Sequence, residues 1–171
     1  MLRHTRGFSL IELLVVMVIV GVVLGAVVLR MSSGSERAVE DAARRSQALI
    51  LLACERAAVT GVDIGFSLID GRWLFGYQRP QGWQPMADQP SEELRPRDLG
   101  EALRLELRRD GRALESEPAS EQEAQRPQLL CLSSGELSPF ELRIGAAGQE
   151  FAWRLTGRLD GRVAMEPFDA P

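Results

Sequence analysis

With 171 residues, the chain has room for one domain of ordinary size and a short appendage, which excludes a second large core. All twenty basic residues are Arg, and the formal net charge is -4. From Arg30 onward the chain holds 18 Arg against 23 acidic residues, so this part would repel the phosphate backbone of a nucleic acid. Nucleic acid is therefore a weak candidate for a partner.

The chain begins with a basic stretch that is followed by a long apolar segment. Arg3, His4 and Arg6 precede residues 8–29, which are almost wholly apolar. As a helix rising about 1.5 Å per residue, this segment would span roughly 33 Å, enough to cross the hydrocarbon core of a bilayer once. An ordinary secretory signal has a shorter apolar core, so we expect the segment to be retained. The positive-inside rule then places the N-terminus in the cytoplasm and the acidic remainder on the far side.

Glu12 interrupts the apolar segment close to its start. A charge inside a spanning helix costs about 2.5 to 3.5 kcal/mol on insertion scales, and intramembrane acids are usually paired and functional. In an isolated monomer the carboxylate can still reach the headgroups, which lie about one helical turn away. In a bundle of similar helices it needs a cation, so we expect Glu12 to set helix register on assembly.

The stretch "RGFSLIELLVVMVIVGVV", residues 6–23, closely resembles the class III leader of type IV pilins and of the pseudopilins of type II secretion. The resemblance implies a leader peptide of residues 1–7, which a membrane-embedded prepilin peptidase removes by cutting between Gly7 and Phe8. It also implies N-methylation of Phe8. Glu12 matches the acidic residue of that family, and the resemblance supplies its partner, the new amino terminus of a neighbouring subunit.

The helical part of the chain divides into two predicted segments. Residues 8–30 form the transmembrane and polymerisation helix. Residues 31–61 form an amphipathic helix that continues into the soluble domain, with a bend near Gly34 and an end at Gly61. Apolar residues at helical spacing predict its buried face: Val39, Ala42, Ala43, Leu49, Ile50, Ala53 and Ala57.

Residues 62–171 form the predicted β-rich domain, in which Asp-Gly pairs at positions 70, 110 and 160 mark turns. Antiparallel pairing is favoured, because the connections are short and lack helical crossovers. About seven short strands are predicted: "VDIGFSLI", "RWLFGYQ", "LRLELRR", "PQLLCLS", "FELRI", "FAWRLTGRL" and "RVAMEPF".

Two regions of this domain are predicted to be solvent-exposed loops. Residues 79–100 contain four Pro, and residues 115–127 are polar. Four Glu in the second loop, at positions 115, 117, 121 and 123, raise the question of a calcium site. Their spacing lacks the Asp, Asn and Gly order of an EF-hand loop, so we favour a solvated loop and expect no metal site.

Cys54 and Cys131 are the two cysteines of the chain. An oxidising compartment would permit a disulfide between them, but sequence cannot supply the required geometry. Since both lie among apolar neighbours, we favour two buried free thiols and keep the disulfide as the alternative.

The residue types present do not indicate an enzyme or a cofactor. The only His is His4, in the predicted leader, so the mature chain would contain neither His nor Lys. That removes His-dependent nucleophiles, His-based zinc sites and Schiff-base lysines. Glu92 and Glu93 form an adjacent carboxylate pair, but the surrounding Pro-rich loop offers nothing to hold a substrate.

The C-terminal stretches "GELSPFELRI" and "GQEFAWRLTGRLDGRVAM" look like the ending of the GspH-type minor pseudopilins. This resemblance implies an α+β, pilin-like fold in which a long N-terminal helix packs on an antiparallel β-sandwich. It implies a structural subunit of the periplasmic pseudopilus, near the tip complex and next to the major pseudopilin shaft. The implied partners are other minor pseudopilins, the major pseudopilin, the prepilin peptidase and the inner membrane, with secreted proteins as further candidates.

The same family includes minor pilins of the FimT and FimU kind, so the alternative is a subunit of a type IV pilus that captures DNA. Arg154, Arg158 and Arg162 would supply the phosphate contacts. Asp160 and Glu166 lie among them in an acidic domain, and we therefore favour exposed strand and turn charges.

Overall fold

The computed structural model describes residues 10–86, 92–100, 102–115 and 126–169. The chain divides into two compact units, Met1–Glu36 and Arg37–Pro171. Among the described residues, no part of the helix meets the combined length and hydropathy that a membrane crossing requires. The predicted membrane segment 8–30 extends beyond those residues, and its crossing stays a prediction.

One helix, α1, runs over Leu10–Thr60. All seven apolar residues predicted for the face of its second half are buried, because they recur on one side of the helix. Gly61 ends the helix as predicted: it adopts a φ of 67°, and its N–H donates to the Ala57 carbonyl at 3.0 Å. The bend predicted near Gly34 lies close to the junction of the two units and stays a prediction.

The β-rich domain contains two antiparallel sheets. Sheet A has the strand order β3-β2-β1-β7, and β4 pairs with β2. Its strands are β1 (Ile64–Ile69), β2 (Arg72–Arg79), β3 (Gly82–Pro85), β4 (Arg97–Asp98) and β7 (Leu129–Cys131). Sheet B has the order β10-β9-β8-β5-β6. Its strands are β5 (Leu103–Arg109), β6 (Arg112–Ala113), β8 (Phe140–Ala146), β9 (Phe151–Gly157) and β10 (Val163–Pro167).

The prediction that residues 79–100 form an exposed loop is wrong for most of the described part. β3 and β4 lie in this region and both pair with β2. Met86, Leu94 and Leu99 are buried in the core. The prolines permit this arrangement because Pro85 ends an edge strand, where a missing N–H removes no ladder hydrogen bond from the sheet interior. Residues 87–91 of the region lie outside the described part of the chain.

Two of the three predicted Asp-Gly turns have the expected backbone geometry. Asp70 and Gly71 adopt φ of 47° and 73°, and Asp110 and Gly111 adopt 52° and 77°. Positive φ at both central residues matches the twist of the flanking strands. At the third pair only Gly161 is positive, and the carboxylate of Asp160 instead accepts a hydrogen bond from a backbone N–H two residues later.

Aromatic side chains join the two sheets in the core. Phe66 on β1 lies 5.7 Å from the ring centroid of Trp73 on β2 and 6.5 Å from that of Phe140 on β8. Trp73 is fully buried, and its indole N–H donates to the hydroxyl of Ser46 on α1 at 2.9 Å. Since a buried indole needs an acceptor, this bond fixes the position of the helix over sheet A.

We expect Ser46→Ala to lower the free energy of unfolding by about 1 to 3 kcal/mol, because it leaves the buried indole N–H of Trp73 without its acceptor. Chemical denaturation followed by tryptophan fluorescence measures the change. The control repeats Ser46→Ala in a Trp73→Phe background, where the substitution should have little effect. An equal loss in both backgrounds would show that the hydrogen bond contributes nothing.

Candidate functional site

The N-terminal part of α1 presents one carboxylate on an apolar surface. Glu12 lies in the first turn of the helix and is exposed. Twelve large apolar side chains between Leu10 and Val23 are also exposed, each by 46% or more. An apolar surface of this extent marks contact with a membrane or with other proteins. Gly7 and Phe8, the predicted processing and methylation residues, lie outside the described residues.

The surroundings of Glu12 lack a counter-charge among the described residues. No cation of the described residues lies within ion-pair distance of its carboxylate, whereas Glu40, further along the same helix, pairs with Arg44 at 2.7 Å. A carboxylate that loses water without gaining a cation is strongly destabilised. Burial of this surface therefore favours a cation beside Glu12 that the described residues do not supply.

The sequence interpretation missed an ion-pair cluster in which Arg56 on α1 contacts Glu92 and Glu93, in the segment before β4. We call this cluster the Arg56 clasp. One guanidinium nitrogen of Arg56 donates to Glu92 at 2.6 Å and the other donates to Glu93 at 2.8 Å. The Glu92 carboxylate also accepts the backbone N–H of Leu94 at 3.0 Å. The two acids, which were dismissed as a catalytic pair, thus hold residues 92–94 against the helix.

The environment shifts the pKa of both main partners of this clasp. Burial favours the neutral form of Glu92, but the Leu94 N–H and the Arg56 guanidinium outweigh it and lower the pKa of Glu92 below its ordinary value. Burial likewise opposes the charge of Arg56, yet the hydrogen bond and charge of Glu92 raise the pKa of Arg56. Both groups are therefore ionised at neutral pH.

We expect Glu92→Gln to lower the free energy of unfolding at pH 7 by about 1 to 2 kcal/mol, because Glu92 is only 26% exposed and pairs with a half-buried cation. Glu93→Gln is the matched control, since that acid is 67% exposed and should contribute about 0.5 kcal/mol or less. A lowered folded-state pKa means that the contribution of Glu92 is present above its unfolded pKa. It is lost as the pH falls below about 4.5, through the folded pKa. Denaturation curves for both variants at pH 7 and pH 3 test this, and equal effects of the two variants would contradict it.

A disulfide joins Cys54 on α1 to Cys131 on β7, with Cα atoms 4.9 Å apart. The preference for two buried free thiols is therefore wrong, and the alternative holds. The apolar neighbours of both cysteines belong to the contact between the helix and sheet A, which brings their side chains together. The bond closes a span of 77 residues and cross-links the helix to the β-rich domain.

Of the arginines considered for DNA contact, Arg154 lies on β9 of sheet B, and Arg158 and Arg162 lie in the turn between β9 and β10. Arg154 pairs with Glu166 at 2.9 Å, and Arg162 lies 3.5 Å from Asp160. Arg158 is exposed in the turn that follows β9. Two of the three cations are thus neutralised by carboxylates on the same surface, which favours the interpretation as exposed strand and turn charges.

Strands β5 and β8 of sheet B also carry paired charges. Glu106 accepts from Arg108 at 2.7 Å and lies 3.5 Å from Arg143. Arg143 also pairs with Glu141 on the same strand. Within the described ranges, no group of three or more His, Cys, Asp or Glu could hold a metal ion. Most of the loop with the four Glu, residues 116–125, lies outside them.

Comparison with known proteins identifies the family. Residues 2–28 match the model of the prokaryotic N-terminal methylation motif, and residues 42–161 match that of the type II transport protein GspH. The chain is 35% identical to type II secretion system protein H of Pseudomonas aeruginosa, covering 87% of this chain and 88% of that protein. It is 30% identical to protein H of Vibrio cholerae, covering 94% of each.

A solved structure shows the same fold. The minor pseudopilin EpsH from the type 2 secretion system of Vibrio cholerae aligns with a TM-score of 0.63 and 28% identity, covering 78% of this chain and 99% of that chain. The predicted fold, a long helix on antiparallel sheets, is confirmed, and the pilus alternative is not favoured. The chain therefore belongs to the GspH family of type II secretion minor pseudopilins.

Proposed function

We propose that this minor pseudopilin is placed near the tip complex of the periplasmic pseudopilus and links that complex to the major pseudopilin shaft. The observation that carries the proposal is the position of Glu12, exposed on an otherwise apolar helical surface and without a cation from the described residues. Such a surface suits lateral packing against other helices of the same kind. The subunit acts by its position in the assembly, and the chemistry of secretion lies elsewhere.

The proposed topology is a single membrane pass before assembly. Residues 1–7 are removed at the cytoplasmic side by a prepilin peptidase, residues 8–30 remain in the inner membrane, and the domain from residue 37 onward faces the periplasm. The Cys54–Cys131 disulfide supports this orientation, because disulfides persist in the oxidising periplasm and are rare in the cytoplasm.

The partner of Glu12 is the methylated amino terminus of the adjacent subunit. In a helix bundle that excludes water, an ion pair between them stabilises only the register in which the two charges meet. A neighbour displaced along the helix by one residue, about 1.5 Å, begins to separate the charges. This makes the carboxylate a determinant of axial position as well as of affinity.

We expect Gly7→Val to leave the precursor uncut, since a bulky side chain would fill the place of the Gly at the proposed cleavage site. The control is Gly21→Val, which makes the same change within the apolar segment, where no heavy atom lies within 4 Å of the added Cβ. Mass spectrometry of the membrane fraction distinguishes precursor from mature chain. Normal processing of Gly7→Val would contradict the leader assignment.

A further inference from the structure

An open groove lies between α1 and β4, away from the apolar N-terminal part of the helix. Its volume is about 420 Å³, and it is lined by Arg45, Ala48, Leu49, Leu52 and Arg97. The four helical residues follow i, i+3, i+4, i+7 spacing, so they form one face of the helix. The groove thus has apolar walls and two guanidinium groups.

Both cations of the groove lack a carboxylate partner among the described residues, which sets them apart in an acidic domain. Arg44, one position before Arg45, pairs with Glu40, while Arg45 forms no ion pair within the described ranges. Arg97 donates one bond to the backbone carbonyl of Glu93 at 3.3 Å. Its buried Nε has no hydrogen-bond partner in the described part of the chain. A buried donor without an acceptor is destabilising, so the Arg97 side chain is incompletely satisfied by the described residues.

We propose that this groove docks a segment of a neighbouring pseudopilin that presents an Asp or Glu side chain flanked by apolar residues. The apolar flanks would cover Ala48, Leu49 and Leu52, and the carboxylate would accept from Arg45 and Arg97 through charge-assisted hydrogen bonds. The groove is open to solvent and its helical wall runs from Arg45 to Leu52, which suits a polypeptide segment better than a small ligand enclosed on most sides. This inference rests on the proposed role as a pseudopilus subunit.

The test uses the full chain in cells that carry its secretion system, with a photo-crosslinking amino acid in place of Ala48. A second probe in place of Val16, in the apolar segment, reports incorporation independently. We expect the Ala48 probe to link to another pseudopilin at a peptide in which Asp or Glu lies between apolar residues. Arg45→Glu should reduce this yield by about tenfold or more, because it replaces attraction with repulsion of like charges.

Arg44→Glu is the matched control, because it changes charge equally one residue away, on a side chain that does not line the groove. It should alter the yield by less than about twofold, since exposed pairs contribute little. Changing the acid of the linked peptide to Arg should restore the yield in the Arg45→Glu chain. Restoration would establish direct pairing, because a general loss of folding cannot be rescued by a partner.

Three results would overturn the proposal: an unchanged yield in Arg45→Glu, a linked peptide without an acidic residue, or a link to residues 87–91 of the same chain. Absence of any link at position 48 while the Val16 probe still links would also overturn it and leave the proposed function intact. Absence of links from both probes would contradict the proposed function itself.

Discussion

Replacing both Cys54 and Cys131 with Ala is expected to lower the free energy of unfolding by about 2 to 5 kcal/mol. The disulfide spans 77 residues, and the loss of closure entropy in the unfolded chain gives about 4.5 kcal/mol for a loop of that length. Since a whole domain is stable by only about 5 to 15 kcal/mol, this is the largest stability effect expected of the chain. Denaturation followed by tryptophan fluorescence measures it.

The native chain in the presence of a reductant is the internal control for this experiment. It breaks the same bond without changing a residue, so both conditions should show the same loss. The buried Trp73 is a suitable reporter because it contacts the helix through Ser46. If the variant and the oxidised native chain unfold at the same denaturant concentration, packing alone holds α1 to sheet A and the disulfide adds nothing.

Glu12→Val is expected to abolish incorporation into the pseudopilus while leaving membrane insertion intact. Val suits the apolar segment better than Glu does, so insertion loses nothing. The gain is smaller than the about 2.5 to 3.5 kcal/mol of a charge at the helix centre, because Glu12 lies about one turn from the headgroups. Assembly loses the ion pair and leaves the methylated amine of the neighbour buried without a counter-charge, a change that costs about 3 to 5 kcal/mol in comparable pairs. The amount of the chain isolated with pseudopili, relative to the amount in the membrane, measures the effect.

The matched control for Glu12→Val is Glu36→Val, which removes an exposed acid at the end of the first unit. It makes the same substitution outside the apolar segment and should leave incorporation unchanged. Export of secreted proteins provides a second measurement. Normal export and normal incorporation of the Glu12→Val chain would show that pairing is dispensable.

Sequence patterns predicted the elements that carry their own local signal. The apolar spacing from Val39 to Ala57 predicted the buried face of α1, and the Asp-Gly pairs at 70 and 110 predicted turns with positive φ. All seven predicted strands are present in the two sheets. Each of these elements depends on the spacing of apolar residues or on turn residues within one short segment, so the segment's own sequence is enough to predict it.

The features that were missed depend on distant partners. β4 and β6 have two residues each, too few to show an alternation of apolar and polar residues. They form because their backbones pair with the edges of β2 and β5. The Arg56 clasp joins residues 36 positions apart. The disulfide forms because the fold brings the Cα atoms of the two cysteines to 4.9 Å. This distance cannot be predicted from the sequence alone. Contacts of this kind are set by tertiary packing.

The proposed assembly requires that the Glu12 carboxylate contact the amino terminus of another subunit in an assembled pseudopilus, and chemical cross-linking measures this contact directly. An apolar carbodiimide activates carboxylates within a helix bundle, and an activated carboxylate forms an amide only with an amine in contact with it. If the two groups pair, we expect an amide between Glu12 and the methylated terminal amine of a neighbouring subunit, detected by mass spectrometry. Glu12 modified by the reagent alone, without that amide, would contradict the proposed pairing.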